Sequence, residues 1–190
     1  MSSTLVTPID RLWPTDRPVL RNVVLVLFGT LLLYASAKVQ VPFWPVPMTM
    51  QTGVVALIGM AYGWRLGAAT VVAYLAEGAM GLPVFTGTPE RGLGLAYMVG
   101  PTGGYLLGFV VAAAIAGRLV QSDQSLARIA AAVVASILAI FALGVAWLSV
   151  LVGPEAAIAN GVLPFIPSEI AKILLTIAVG TALLRSRRTG

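Results

Sequence analysis

Phe165-Ile166-Pro167-Ser168-Glu169-Ile170-Ala171-Lys172 opens a run, Ile170 to Leu184, that is otherwise lipid-soluble. Ionisable groups at membrane depth cost roughly 2.5 to 3.5 kcal/mol each on insertion scales, so an acid and a base inside such a run need compensation. Glu169 and Lys172 are three positions apart and share one helix face. Pro167 suits a first helical turn, where its missing N–H is not needed. Ser168 and Glu169 then sit where free backbone N–H groups favour oxygen and negative charge. The stretch predicts a helix start within a membrane, with its charged face turned to the protein interior. Two uses of the pair fit: a functional pair in a pocket, or an internal ion pair that specifies packing.

Working outward, the composition agrees. Of 190 residues, 58% are hydrophobic and 10% charged, and the mean hydropathy is +0.95. These values put the chain in the membrane class, within the length of one domain. Cysteine and histidine are both absent, which excludes disulfides, thiolate nucleophiles, the usual zinc sites and the commonest general base. A pI near 10.1 raises the question of nucleic acid. The basic residues, however, stand at the ends of apolar runs rather than in one patch, so membrane orientation accounts for them and no nucleic acid is expected.

The expected fold is all-α: a polytopic membrane protein with six transmembrane helices and both termini cytoplasmic. Residues 1–21 form a polar lead with Pro8, Pro14, Pro18 and a candidate interfacial anchor, Trp13. It has no small-residue cleavage site after a short apolar core, and so is expected to be a retained cytoplasmic segment. The membrane domain covers 22–185, with helices near 22–39, 48–62, 66–80, 105–120, 129–152 and 168–184, followed by a basic tail, 186–190. Lys38 ends the first run, free to snorkel. Three prolines in Val41-Pro42-Phe43-Trp44-Pro45-Val46-Pro47 forbid a helix and predict a stiff aromatic loop. The second run is short and polar at its start, with Thr49, Gln51 and Thr52, as befits a helix facing a cavity. Glu77 is a second intramembrane acid. Leu82 to Gly104 is a long Gly- and Pro-rich segment of the kind that forms lids and binding loops. In the fourth run Ala112, Ala113, Ala116 and Gly117 are spaced for close helix contact. Gly153 to Pro164 is expected to be a loop carrying Glu155 and Asn160.

Orientation follows from the twelve Lys and Arg residues. With both termini inside, Arg11, Arg17, Arg21, Arg65, Arg118, Arg128, Arg185, Arg187 and Arg188 lie on the cytoplasmic side, against Lys38 and Arg91 outside and Lys172 within the membrane. The Pro-rich loop, the Gly-rich loop, Glu77 and the Glu169/Lys172 pair then converge on the external side. A pocket there, lidded by two stiff loops, is the simplest use of that convergence.

Three stretches in order, Val41 to Thr52, Gly81-Leu82-Pro83-Val84-Phe85 and Gly100-Pro101-Thr102-Gly103-Gly104-Tyr105-Leu106-Leu107-Gly108-Phe109, resemble the BioY family. These are the biotin-binding S components of energy-coupling factor (ECF) transporters. The resemblance covers roughly residues 22 to 185. It implies the S-component fold in a bacterial inner membrane, and capture of biotin from outside. It also implies partnership with a transmembrane coupling protein and two cytoplasmic ATPase subunits. The family's Pro-x-Asp-x-x-Lys pattern lands on Pro167, Glu169 and Lys172, with Glu in place of Asp. The Ala-x-x-x-Ala docking pattern of other S components lands on Leu25 and Gly29, half of it retained.

Biotin offers two ureido N–H donors, a carbonyl, an apolar thioether ring and a carboxylate tail. On the resemblance, Glu169 and Glu77 are candidate acceptors for the N–H groups, and Lys172 neutralises the acid or donates to the carbonyl. Gln51 could add a donor and an acceptor, and Arg91 is the candidate for the tail. Phe43, Trp44, Tyr74, Phe85 and Tyr97 could wall the rings; membrane anchoring is the other use of such aromatics. For Arg91 the alternative is a solvated pair with Glu90, and for Glu77 a helix-end acid reaching water. No cofactor is expected. An enzyme is disfavoured by the lack of a nucleophile–base pair, of HExxH and of a nucleotide loop. An S component for a different vitamin is the near rival, and a structural or regulatory membrane subunit without ligand the distant one. Operation alone, as a homo-oligomer, or with a dedicated or shared ATPase module all fit the sequence.

Overall fold

A computed structural model describes residues 16–41, 45–86 and 93–185. Helix α1, Pro18–Lys38, starts four residues ahead of the expected run because Pro18 fits the first helical position. Strands β1 (Gln40–Val41) and β2 (Met48–Thr49) pair antiparallel, Gln40 opposite Thr49 and Val41 opposite Met48, and close the Pro-rich loop at its base. Met48 and Thr49 therefore belong to a ribbon, and α2 spans Gln51–Tyr62. Gly63, at φ 80, makes the whole turn into α3, Trp64–Ala79. The long Gly-rich segment contains a short helix, α4 (Leu95–Met98), before α5, Gly103–Leu119. Ser125 caps α6, Leu126–Val152, by accepting from the Arg128 amide at 3.4 Å.

The stretch expected to be a loop after Gly153 is instead α7, Pro154–Gly161, followed by a 3-10 turn at Leu163–Phe165. Gly153 breaks α6 at φ 86, while Pro154 at the first position and Glu155 in the first turn start a new helix at once. Helix α8, Ile166–Arg185, completes the described chain.

Helix α2 sits at the centre, touching α1, α3, α5, α6 and α8. Small residues make that central position tenable. Gly59 meets the backbone of Ala113, with its carbonyl carbon 2.9 Å from where a Cβ would sit, and a Cβ on Gly67 would likewise lie 2.9 Å from Gly59 Cα. Ala112, Ala113, Ala116 and Gly117 are all buried, as their spacing predicts. Along α6, Gly144 and Ile140 receive Tyr105 and Gly108 of α5.

The exterior is apolar. Leu27, Leu138, Val150 and Leu174 are among many large hydrophobic side chains left exposed, the pattern of a bundle whose solvent is lipid rather than water. Helix α1, helix α6 and the continuous stretch Pro154–Leu184 are each long and apolar enough to cross a membrane. Leu25 and Gly29 are turned inward, Gly29 lying against Thr70 and Tyr62. The two positions matching the docking pattern are thus occupied by contacts within this chain.

Candidate functional site

A cavity opens at the end of the bundle where α2, α5 and α8 begin. It holds about 480 Å³ of empty space, its open mouth included. Its charged wall is supplied by α8. Glu169 and Lys172, 5% and 7% exposed, form an ion pair across one turn. Each has a further partner: Thr52 Oγ1 donates to Glu169 Oε2 at 3.2 Å, and Lys172 Nζ donates to the Thr49 carbonyl at 2.9 Å. A buried pair is tolerable only when both charges are also hydrogen-bonded, and this one meets that condition.

Gln51, at the start of α2, lines the same cavity but is largely committed elsewhere. Its Nε2 donates to Tyr74 Oη at 2.8 Å and reaches the Leu33 carbonyl at 3.5 Å, while its Oε1 accepts from Thr49 Oγ1 at 3.4 Å. Tyr74, fully buried on α3, passes the chain on by donating to the Val84 carbonyl at 2.8 Å.

Aromatic side chains form a second part of the lining. Tyr97, from α4, lines it and is stacked on Phe85 with centroids 5.2 Å apart; Phe85 in turn meets Tyr74 edge-on at 5.5 Å. Thr86 and Tyr97 share a hydroxyl–hydroxyl bond of 2.6 Å. From the far helices, Phe141 is edge-on to both Tyr105 and Phe165 at 5.9 Å. Tyr105 is pinned by donating to the Gly161 carbonyl at 2.8 Å. One wall can neutralise and hydrogen-bond a polar head, and the other can receive a flat apolar ring.

Of the residues expected from sequence, Glu169, Lys172, Gln51 and Tyr97 come together on this cavity, with Tyr74 and Phe85 directly behind it. Glu77 does not join them. It is half-buried in a separate groove with Leu27, Tyr34 and Pro83, between α1 and α3. Phe43, Trp44 and Arg91 lie outside the described residues. Thr49 and Thr52, read from the sequence as the polar start of a cavity-facing helix, line it too, and Thr86, Thr102, Tyr105, Phe109, Phe141 and Phe165 join them without having been proposed as site residues. Tyr105 and Phe109 had a usable signal: they follow Gly103-Gly104 one helical turn apart, on one face.

Lipid-facing helices around a polar and aromatic pocket at one end define a membrane-embedded binding protein for a small solute. More particularly, the chain belongs to the BioY family, whose family model matches residues 5–189. It is 36% identical over 155 residues to the biotin transporter BioY of Thermotoga maritima, covering 81% of this chain and 90% of that one. A probable biotin transporter BioY of Pyrococcus horikoshii is 34% identical, with 86% and 96% covered. The biotin transporter BioY of Rhodobacter capsulatus is 35% identical, with 88% and 95% covered. Among solved structures, the S-component for biotin from an ECF-type ABC transporter superposes with a TM-score of 0.76 at 25% identity, over 93% of this chain and 95% of that one.

Proposed function

We propose that this chain is the membrane subunit that binds biotin for uptake, and that the cavity between α2, α5 and α8 is where biotin binds. Membership of the BioY family along nearly the whole chain supports the ligand. The observation that carries the site is the buried Glu169–Lys172 pair sharing one cavity with an aromatic wall. Glu169 accepts from the ureido N–H groups, Lys172 donates to the ureido carbonyl, and the thioether ring packs among Tyr97, Tyr105 and Phe141. Charge-assisted bonds of this kind are worth about 1.5 to 3 kcal/mol each.

Six helices cross the cytoplasmic membrane with both termini inside, on the bias of the basic residues, and the pocket then opens to the exterior. A polar lead and a basic tail, 186–190, flank the membrane domain. Energy for uptake comes from partners, since the chain has no nucleotide loop of its own. The superposition on an ECF S-component supports a transmembrane coupling protein with two cytoplasmic ATPase subunits as those partners.

The test is equilibrium binding of biotin to the detergent-purified chain, with desthiobiotin, riboflavin and thiamine as competitors. Nanomolar binding selective for the biotin rings is expected. Preference for riboflavin or thiamine would move the chain to another vitamin, and no binding in either the single chain or the reconstituted complex would overturn the reading.

A further inference from the structure

We propose that Lys38 is a positioning residue: it latches the strap of residues 81–86 against the back of the pocket wall and so sets how fast the ligand leaves. The proposal rests on the cavity being the biotin site. Lys38 Nζ donates to the Pro83 carbonyl and to the Phe85 carbonyl, each at 3.0 Å, and lies 5.2 Å from the centroid of the Tyr34 ring. Tyr74 takes the carbonyl between them, Val84. Three consecutive carbonyls of a segment that is neither helix nor strand are thus held by two side chains, one from α1 and one from α3. A lysine expected to extend freely to the membrane surface is tied down instead.

The strap matters because of what it carries. Phe85 rests on Gly78 and stacks on Tyr97, and Thr86 bonds the Tyr97 hydroxyl. Thr86 and Tyr97 both face the cavity. If the strap lifts, that wall of the pocket goes with it. The two anchors differ in how readily they yield. The Tyr74 bond is buried, whereas the Lys38 bond to Pro83 is exposed and that to Phe85 only part-buried, so water can reach and replace them more readily. Lys38 is therefore the anchor whose release begins opening, and Tyr74 the pivot that remains.

Two measurements on Lys38→Met and Lys38→Arg test this: hydrogen exchange of the strap amides in the ligand-free chain, and the dissociation rate of biotin. Lys38→Met is expected to raise exchange across 82–86 and speed biotin release about tenfold, roughly the effect of one such bond, with the melting temperature unchanged. Lys38→Arg, which keeps charge and two donors, should restore both. Unchanged exchange in Lys38→Met overturns the latch whatever biotin does, and raised exchange with unchanged release overturns its control of the ligand. If exchange rises and Arg restores it in a chain that binds no biotin, the latch stands and the assignment of the ligand falls.

Discussion

The ammonium of Lys172 donates to the backbone carbonyl of Thr49 across 2.9 Å, joining the last helix to the strand that closes the first loop. The same ammonium neutralises Glu169, so one side chain couples the charge in the pocket to the position of its rim. Strand β2 and the ion pair are thereby tied together through one side chain.

Replacing Lys172 by Ala removes both contacts and leaves a buried carboxylate without a counter-charge. Truncating one partner of such a pair costs about 2 to 5 kcal/mol, so biotin affinity should fall at least ~30-fold. Isothermal titration measures it. A Glu169→Gln, Lys172→Met double variant should be less destabilised than Lys172→Ala in thermal melts, since no uncompensated charge remains, yet should still bind poorly. Recovery of binding in the double variant would remove the pair from the recognition of the ligand.

Glu169 stands where the family pattern has Asp, and the structure supplies a reason for the longer arm: Thr52 Oγ1 is 3.2 Å from Oε2. Shortening the arm by one carbon, about 1.5 Å, leaves Lys172 within reach along the helix but breaks the link to α2. Glu169→Asp and Thr52→Val should each weaken biotin binding by less than about tenfold. Their effects should be non-additive when combined, because both remove the same bond. Full additivity in a double-mutant cycle would show that the two side chains act separately.

How much of this was legible beforehand depends on the distance over which each contact acts. Glu169 and Lys172 were readable because their partnership is local, one turn of one helix. Gln51 was readable because a polar group at the head of a short apolar run has few other uses. Glu77 looked equivalent by depth, but depth does not fix direction. Three residues on from the inward-facing Tyr74 is a rotation of about 60°, and that carries Glu77 into the groove beside α1. Thr86, Thr102 and the Tyr105–Phe141–Phe165 cluster come from segments far apart in sequence, and their convergence is a property of packing alone. Lys38 illustrates the same limit: its acceptors are backbone carbonyls, which have no signature in a sequence.

Tyr74 is a junction rather than a wall. Its phenol accepts from Gln51 and donates to Val84, both at 2.8 Å, with no exposure to solvent. Tyr74→Phe keeps the ring against Phe85 but leaves a carboxamide N–H and a carbonyl unsatisfied. Each such group costs about 1 to 3 kcal/mol. A lowered melting temperature is expected, together with weaker biotin binding as Gln51 is freed to turn. A variant that melts with the parent would mean that other groups satisfy both.

Gly78 tests the aromatic wall from behind. A Cβ at this position would lie 2.7 Å from Phe85 Cε1 and closer still to Cε2 and Cζ. The ring cannot retreat toward the cavity without leaving its stack on Tyr97, which lies 5.2 Å away centroid to centroid. Overpacking of this kind costs about 1 to 3 kcal/mol, and here it is directed at the pocket. Gly78→Ala should therefore lower both stability and biotin affinity. Phe85→Leu in the same chain should recover stability by making room, but not affinity, because the stacked ring that backs Tyr97 is gone. Recovery of both would mean that the Phe85 ring fills space and contributes nothing to the shape of the site.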